Sequence, residues 1–433
     1  MKKINIGVVG LGTVGSGVLE ALRDNRDIIA ERSGVILEVK TVCDKDPSKL
    51  EQAPGDDRSL RTADFNDILK DPEIDIVVEL VGGIEPALTV IKGALNAGKH
   101  VVTANKALLA ESWKEIIELA ASKGLLVRFE ASVGGAIPII NTLRESFVGN
   151  RINAVYGILN GTANFILTAM SSGDMSFQKA LKIAQDKGIA ESDPGLDISG
   201  ADSAHKLAIL AMLCFGQEVY ADDVYTEGIS SVGTQDVVNA ARWGYGIKLL
   251  GIAKNSEKGL ELRVHPTLIR LSHLLSGVNG ADNAIYVQGD LMGESLLYGK
   301  GAGKYPTASS VVGDLAGIAS RISFWKKDPA AVSAGIYKFK KLSSRKMEDI
   351  ELAYYLRFSV IDKPGVLAGI SGVLSEYGIS IANVAQEERN EGETVPVVII
   401  THKAREGDMR KAISKIDSLD YVTSGTVVIR IED

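Results

Sequence analysis

The stretch from Ile4 to Gly15 constrains this chain more than any other. An apolar run, Ile4 to Val9, leads without a break into Gly10-Leu11-Gly12-Thr13-Val14-Gly15, and the pattern beyond it predicts a helix from Ser16 to about Ile29. At a strand-helix junction each glycine has a physical task. Gly10 permits the tight turn, Gly12 lets the backbone approach a pyrophosphate, and Gly15 lets helix and strand pack closely. The helix start, with Leu11, Thr13 and Val14 around it, faces the anion. A parallel α/β sheet that binds a dinucleotide is the expected consequence. The second strand, Val35 to Cys43, ends in Asp44, an acid placed to hold the ribose hydroxyls of NAD and to repel a 2′-phosphate. Lys45 beside it keeps NAD and NADP both open.

Bulk properties narrow the partners. At 433 residues two to four domains are expected. A formal net charge of -7, with no long basic stripe outside Lys338 to Lys346, argues against a nucleic-acid partner. No apolar run is long enough to span a bilayer, and no small-residue cleavage site follows the first one, so no membrane partner is expected. Cys43 and Cys214 both lie in apolar segments, as reduced, buried thiols of a cytoplasmic protein do. In that compartment Asn160-Gly161-Thr162 is not a glycan acceptor.

Ile74 to Leu80 reads as a buried strand, and Pro86 opens a helix to about Ala97. The strand His100 to Thr103 ends in Thr103-Ala104-Asn105-Lys106, on the side of a parallel sheet that lines the ligand crevice. Leu125 to Phe129 is a further strand. After it, Glu130 to Pro138 places a carboxylate beside small residues with bare carbonyls, which can coordinate a hard monovalent cation or form a plain tight turn. A helix over Ile139 to Phe147, a strand over Ile152 to Leu159 and helices over Asn164 to Met170 and Phe177 to Lys187 follow. Beyond Phe215 short strands alternate with helices through Trp325. There the Gly-rich run Tyr298 to Thr307 precedes a helix from Ala308 to about Phe324, which can pack back on the first domain and bring Gly301 and Gly303 near a nicotinamide.

The chemistry is concentrated between Glu191 and Lys206, where four acids, a Pro-Gly turn and a lysine stand just ahead of an apolar helix. Asp202 and Lys206 are four apart and share a helix face that Ile209 and Leu210 continue toward the core, so Lys206 is expected to be half-buried. A buried ammonium is costly unless paired. Either Asp202 neutralises it or its pKa falls until it can act as a base near neutral pH. A solvated ion pair, worth about 0.3 to 0.5 kcal/mol, is the plain alternative, but it does not need Glu191 and Asp197 as well. Hydride transfer with a nicotinamide requires a group that gives or takes a proton at the carbonyl oxygen. None of the five histidines is well placed, and His205 points about 100 degrees away from Lys206 on the helix. Lysine must then serve. If Lys106 faces Lys206 across the substrate, repulsion lowers the pKa of one of them. Glu191 and Asp197 would then bind a substrate ammonium, which describes a small amino-acid-like alcohol or aldehyde.

The carboxy-terminal part reads separately. Lys326 to Asp349 is charged and linker-like. Ala353 to Ile361, a turn at Asp362 to Gly365, Val366 to Tyr377, Ile379 to Glu387, Thr394 to Thr401, Glu406 to Ile416 and Tyr421 to Arg430 spell β-α-β-β-α-β, a ferredoxin-like module.

With Thr103 to Lys106, Glu130 to Pro138, and Glu191, Asp197, Asp202 and Lys206 in this order behind the glycine motif, the chain resembles the homoserine dehydrogenases from residue 1 to about 325. Asp362 to Leu367 resembles the opening turn of an ACT domain. The resemblance implies an α/β chain with a Rossmann-type dinucleotide-binding domain over 1–137, completed by a helix over 307–325. An α+β substrate-binding and oligomerisation domain covers 138–306, a linker 326–352, and a ferredoxin-like ACT regulatory domain 353–433. The implied reaction is the reversible NAD(P)H-dependent reduction of L-aspartate 4-semialdehyde to L-homoserine, a step toward threonine and methionine. Lys206 would be the general acid/base, Lys106 a second lysine near substrate and cofactor, and Glu191, Asp197 and Asp202 substrate-binding groups. Gly10, Leu11, Gly12, Thr13, Val14, Gly15, Asp44, Thr103, Lys106 and Gly303 would contact NADP or NAD. A sodium ion would lie among Glu130 and the carbonyls of Val133, Gly135 and Ile137. Threonine is the expected effector, a homodimer or homotetramer the expected assembly, and the absence of a kinase-like segment points to the monofunctional form. Two rivals are weighed against this. An aspartate-semialdehyde dehydrogenase needs a nucleophilic thiol, which neither cysteine offers. A non-catalytic cofactor- and amino-acid-binding sensor is opposed by the charge gathered at Glu191 to Lys206.

Overall fold

Apolar runs such as Ile4 to Val9 and Ile76 to Val78 must be covered on both faces, and here they lie inside a parallel sheet of six strands. β1 (Lys2–Val9), β2 (Val35–Cys43), β3 (Leu60–Thr62), β4 (Ile76–Glu79), β5 (His100–Thr103) and β6 (Val127–Arg128) lie in the order β3-β2-β1-β4-β5-β6, every neighbour parallel. That is the doubly wound dinucleotide-binding topology, and the glycine motif follows β1, beside the point where the strand order reverses. The computed structural model describes residues 1–54, 59–324, 339–386 and 392–432. It divides into a first unit of 1–152, 205–221 and 283–342 and a second of 153–204, 222–282 and 343–433. Among the described residues no helix is long and apolar enough to cross a membrane.

The first unit is extended by β11 (Asp282–Gly289), its neighbour β12 (Gly293–Lys300), and the helix Lys304–Phe324. Ala308, Val311, Leu315 and Ile318 of that helix enter one core with Ile4, Ile6, Val8, Val18 and Leu22. Three boundaries differ from the sequence reading. The helix after the glycine motif starts at Thr13 and stops at Asp24, and a second, Arg26–Ser33, follows. The charged and polar run Arg23 to Asp27 has no apolar side chain to bury, so the chain breaks at Asn25. Tyr298 to Lys300 belong to β12, and the next helix starts at Lys304, with Pro306 in its first turn, where a missing N–H costs nothing. The helix expected over Ile139 to Phe147 splits into an α-turn, Ile139–Asn141, and a π-turn, Thr142–Ser146.

The second unit is built on antiparallel strands. In place of the short strands expected there, β9 (Tyr245–Ser256) and β10 (Gly259–Arg270) are each 12 residues long and form one hairpin. β10 is buried continuously between its ends, so it carries no polar alternation to mark its length. β7 (Ile152–Ile158) pairs with β9, and β8 (Tyr225–Thr226) pairs with β10. The carboxy-terminal module comprises β13 (Glu351–Ile361), β14 (Ile381–Ala385), β15 (Thr394–Thr401), β16 (Ala404–Arg405) and β17 (Val422–Glu432), with helices Val366–Glu376 and Glu406–Asp417. β17 pairs antiparallel with β13 and parallel with β10, giving the continuous order β7-β9-β10-β17-β13-β15-β14. The last strand of the chain therefore lies inside the sheet.

Of the linker expected over 326–352, residues 326–338 lie outside the described residues, as do Trp325, the last residue of the helix expected over 307–325, and Glu387, the last of an expected strand. The remainder is held by its backbone. In the first unit Lys340 N donates to Gly216 O at 2.8 Å. In the second, Leu260 N donates to Ser343 O and Arg345 N to Leu260 O, both at 2.8 Å.

Candidate active site

β1 runs into a turn that only glycine tolerates. Gly10 has φ 99°, and a Cβ there would lie 2.6 Å from the Leu80 carbonyl. A Cβ on Gly15 would lie 2.1 Å from Gly10 O, so the helix rests directly on the turn. Gly12 differs. Its φ is an ordinary -70°, and a Cβ would meet nothing within 4 Å, which leaves open ground at the helix start where a phosphate can approach the backbone. Asp44, at the end of β2, accepts from Leu11 N at 2.7 Å and from Asp46 N at 2.9 Å. Its carboxylate thus braces the glycine turn at the rim where a ribose would sit. Gly303 has φ 122° and immediately precedes the helix Lys304–Phe324, whose Lys304 Nζ and Tyr305 Oη bond Glu20 at 2.8 and 3.0 Å.

Glu79 escaped the sequence reading, although an acid closing the apolar strand Ile76–Glu79 was a visible signal. It is fully buried, and burial pushes its carboxyl up. Oε2 accepts from Thr103 Oγ1 and Oε1 from Val81 N, both at 2.7 Å. Thr103 Oγ1 accepts from Asn105 N at 3.1 Å, Asn105 Nδ2 donates to Gly83 O at 2.6 Å, and Asn105 Oδ1 caps the helix Lys106–Ser122 by accepting from Leu108 N at 3.1 Å. The ends of β4 and β5 form one frame, and that frame sets where Lys106, the first residue of the helix, begins.

Glu130, 3% exposed, accepts from Ile140 N at 2.8 Å and Asn141 N at 2.7 Å, and its own amide donates to Asp314 Oδ2 at 2.7 Å. Burial, reinforced by the charge of Asp314, pushes Glu130 up to about 7 against the pull of the two amides; burial takes Asp314 up to about 6. Gly135 O accepts from Ser310 Oγ at 2.7 Å and Ile137 O from Ile139 N at 2.8 Å, and each keeps a second lone pair. Among the described residues no group of three or more His, Cys, Asp or Glu side chains could hold a metal ion, so a cation here would depend on carbonyl oxygens. One carboxylate with neutral carbonyls suits a hard monovalent ion, which would also offset two buried acids.

In the second unit Asn160 gathers the acids. Its Nδ2 donates to Asp197 Oδ1 at 2.7 Å and to Asp202 Oδ2 at 2.9 Å, while its Oδ1 accepts from Ala163 N at 2.8 Å and caps the helix Gly161–Met170. Asn160 and Asp202 are 5% and 7% exposed. Two carboxylates sharing one amide nitrogen, Asp202 buried and Asp197 half-buried, make a place that favours a cation. Asn160 was missed as a site residue because Asn-Gly-Thr also spells a glycan acceptor; here it spells an N-cap. Glu191 is exposed, its carbonyl accepts from Gln185 Nε2 at 3.3 Å, and it stands outside the Asn160 network. Lys206 lies one turn beyond Asp202 on the helix Ala201–Phe215 and is 9% exposed, more deeply buried than its spacing predicts. Burial pushes the Cys43 thiol up to about 11 and raises that of Cys214 as well, so neither is a ready nucleophile.

A doubly wound sheet with an open glycine turn, a buried aspartate one helical turn from a buried lysine, and a ferredoxin-like carboxy-terminal module define an NAD(P)-dependent oxidoreductase that carries an ACT domain. Residues 10–130 match the family model described as homoserine dehydrogenase, NAD binding domain, residues 138–316 that described as homoserine dehydrogenase, and residues 354–420 the ACT domain. The chain belongs to the homoserine dehydrogenase family. It is 44% identical over 439 residues to the homoserine dehydrogenase of Pseudomonas aeruginosa and 41% identical over 440 to that of Neisseria gonorrhoeae, covering 100% of this chain and 99% of each relative. The crystal structure of a homoserine dehydrogenase from Thiobacillus denitrificans superposes with a TM-score of 0.93 at 44% identity, over 100% of this chain and 99% of that one. The S. aureus enzyme at pH 7.5 gives 0.76 at 33%, with the same coverage.

Proposed function

We propose that the chain interconverts L-aspartate 4-semialdehyde and L-homoserine with Lys206 moving the proton. The observation that carries the reading is the pair of carboxylates that Asn160 joins, the half-buried Asp197 and the buried Asp202, with Lys206 one turn along the helix from Asp202. A nicotinamide, when bound, supplies or accepts the hydride. Lys206 gives a proton to the substrate oxygen as it becomes a hydroxyl and takes it back in the reverse direction. Lys106 is the second lysine beside substrate and cofactor, and its charge favours the developing alkoxide. Asp197 and Asp202, with Glu191, hold the substrate ammonium. The turn from Gly10 to Gly15, with Thr103, Lys106 and Gly303, holds the cofactor. Asp44 favours NAD, Lys45 keeps NADP open, and both are proposed.

The finer assignments rest on the same residues. Glu130 and the carbonyls of Val133, Gly135 and Ile137 would hold sodium, which would organise the turn behind the site. Threonine is proposed as the amino-acid effector of the ACT domain, the assembly as a dimer or tetramer, and the location as cytoplasmic, in keeping with two free cysteines. The division into 1–137 with 307–325, 138–306 and 353–433 is kept as the functional one. The non-catalytic sensor has no observation in its favour.

The test is oxidation of L-homoserine with NAD and with NADP by the wild type and by Lys206→Ala. A loss of roughly a hundredfold or more in kcat, with cofactor binding retained, is expected. A near-wild-type kcat in the variant would remove Lys206 from this role and move the search to Lys106. Titrating the full chain with L-threonine, and measuring its mass in solution, tests effector and assembly.

A further inference from the structure

Within the second unit the ACT domain reaches the substrate-binding acids by a short series of contacts. Arg430 of β17, almost wholly buried, donates Nη1 to Glu227 Oε2 at 2.6 Å and Nη2 to Glu227 Oε1 at 3.0 Å. Its Nε donates to Glu406 Oε2 at 2.9 Å and its Nη2 to Glu406 Oε1 at 2.5 Å, on the helix Glu406–Asp417. The ring of Tyr225 lies against the guanidinium groups of Arg430 and Arg410, 5.2 and 5.1 Å from the two, and its hydroxyl bonds Glu227. The side chain of Glu227 is thus held by the regulatory domain.

Its backbone is held elsewhere. Glu227 N donates to Val264 O of β10 at 2.7 Å, and Ile229 N donates to Ile198 O at 3.0 Å. Two glycines let these segments touch backbone to backbone: a Cβ on Gly228 would lie 2.3 Å from Ile198 O, and one on Gly200 would lie 3.3 Å from Glu227 O. Ile198 directly follows Asp197. Gly200 O accepts from Ala204 N at 3.0 Å, at the start of the helix that carries Asp202.

We propose that Glu227 is a positioning residue that couples the ACT domain to the substrate-binding acids, its carboxylate taking its place from Arg430 and its backbone setting the place of Asp197 and Asp202. This rests on the reading of those two acids as the ammonium site. A purely structural role for the pair is poorly motivated, because β10 and β17 are already joined over Thr267 to Ile269. The Glu227 side chain is 38% exposed on the wall of a cleft of ≈ 410 Å³ shared with Arg410 and Asp417, so solvent reaches its end of the pair, and the buried Arg430 keeps Glu406 as a counter-ion when Glu227 is changed. What the pair does contribute is geometry. Displacing Arg430 displaces a residue whose next neighbours touch the chain beside Asp197.

The test uses the full-length enzyme, with homoserine oxidation followed at saturating cofactor in Glu227→Gln, Glu227→Asp, Arg430→Lys, the Glu227→Gln/Arg430→Lys double variant and Asp197→Asn. The expected result is a homoserine KM raised about tenfold or more in Asp197→Asn and about three- to tenfold in Glu227→Gln, with cofactor KM and melting temperature unchanged in the latter. Glu227→Asp should recover most of the loss, and the double variant should be no worse than the poorer single one. An unchanged homoserine KM in Glu227→Gln beside a raised one in Asp197→Asn overturns the coupling alone. An unchanged KM in Asp197→Asn overturns the ammonium site and the coupling with it. A fall in activity that tracks a lowered melting temperature, with homoserine KM unchanged, makes Glu227 structural and overturns the proposal too.

Discussion

Asn160 and Lys248 are buried polar side chains whose partners come from distant segments, and each makes a prediction. Asn160→Ser keeps an oxygen for the helix cap but removes the amide that joins Asp197 to Asp202. We expect a homoserine KM raised about tenfold with a stability loss of only about 1 to 2 kcal/mol; an unchanged KM would make Asn160 a cap and nothing more. Lys248, 4% exposed on β9, donates to Val278 O at 2.6 Å, Asn279 Oδ1 at 3.2 Å and Asn164 Oδ1 at 3.3 Å, and burial pulls it down to about 8. The unfolded chain therefore binds more protons than the native one between about pH 8 and the ordinary lysine value, so stability linked to this residue rises with pH through that window. Denaturation of wild type and Lys248→Met at pH 7.5 and 9.5 should show the wild type gaining about 1 to 2 kcal/mol relative to the variant. A constant difference would count against the depressed pKa. Lys206 was legible in the sequence because acids crowd around it along the chain. Lys248 was not, because its acceptors are neutral oxygens from other segments.

At the scale of elements, the glycine turn separates packing from binding. Gly15→Ala would press a methyl onto Gly10 O and should cost about 2 kcal/mol or more. Gly12→Ala meets no protein atom within 4 Å. It should leave the melting temperature without cofactor unchanged while raising cofactor KM about tenfold, because the methyl occupies the approach to the pyrophosphate. Melting curves beside cofactor titrations decide the matter, and a stable Gly15→Ala or an unaffected cofactor KM in Gly12→Ala would contradict it. The strand, turn and helix of this motif were readable because their signals are consecutive residues. The length of β9 and β10 was not, since strands buried on both faces lose the alternation that marks their ends.

For the whole molecule, the position of β17 matters most. It lies between β10 and β13, so the sheet of the second unit closes only when β17 is in place. A chain ending after Asp420 should lose cooperative unfolding and homoserine oxidation together, rather than regulation alone; full activity in that truncation would show the module to be separable. The sequence by itself determined what neighbouring residues decide among themselves: the glycine turn, the parallel alternation of the amino-terminal part, the acids ahead of Lys206 and the β-α-β-β-α-β order of the last 80 or so residues. Only the tertiary structure decided that Asn160 joins acids 37 and 42 residues away, that Glu130 meets Asp314 across 184 residues, and that β17 pairs with β10 as well as with its own module. The reason is physical. Local conformation follows from propensity and periodicity within a few residues, whereas buried hydrogen bonds and strand partners are chosen by which surfaces meet once the core has formed, and that choice leaves no local pattern.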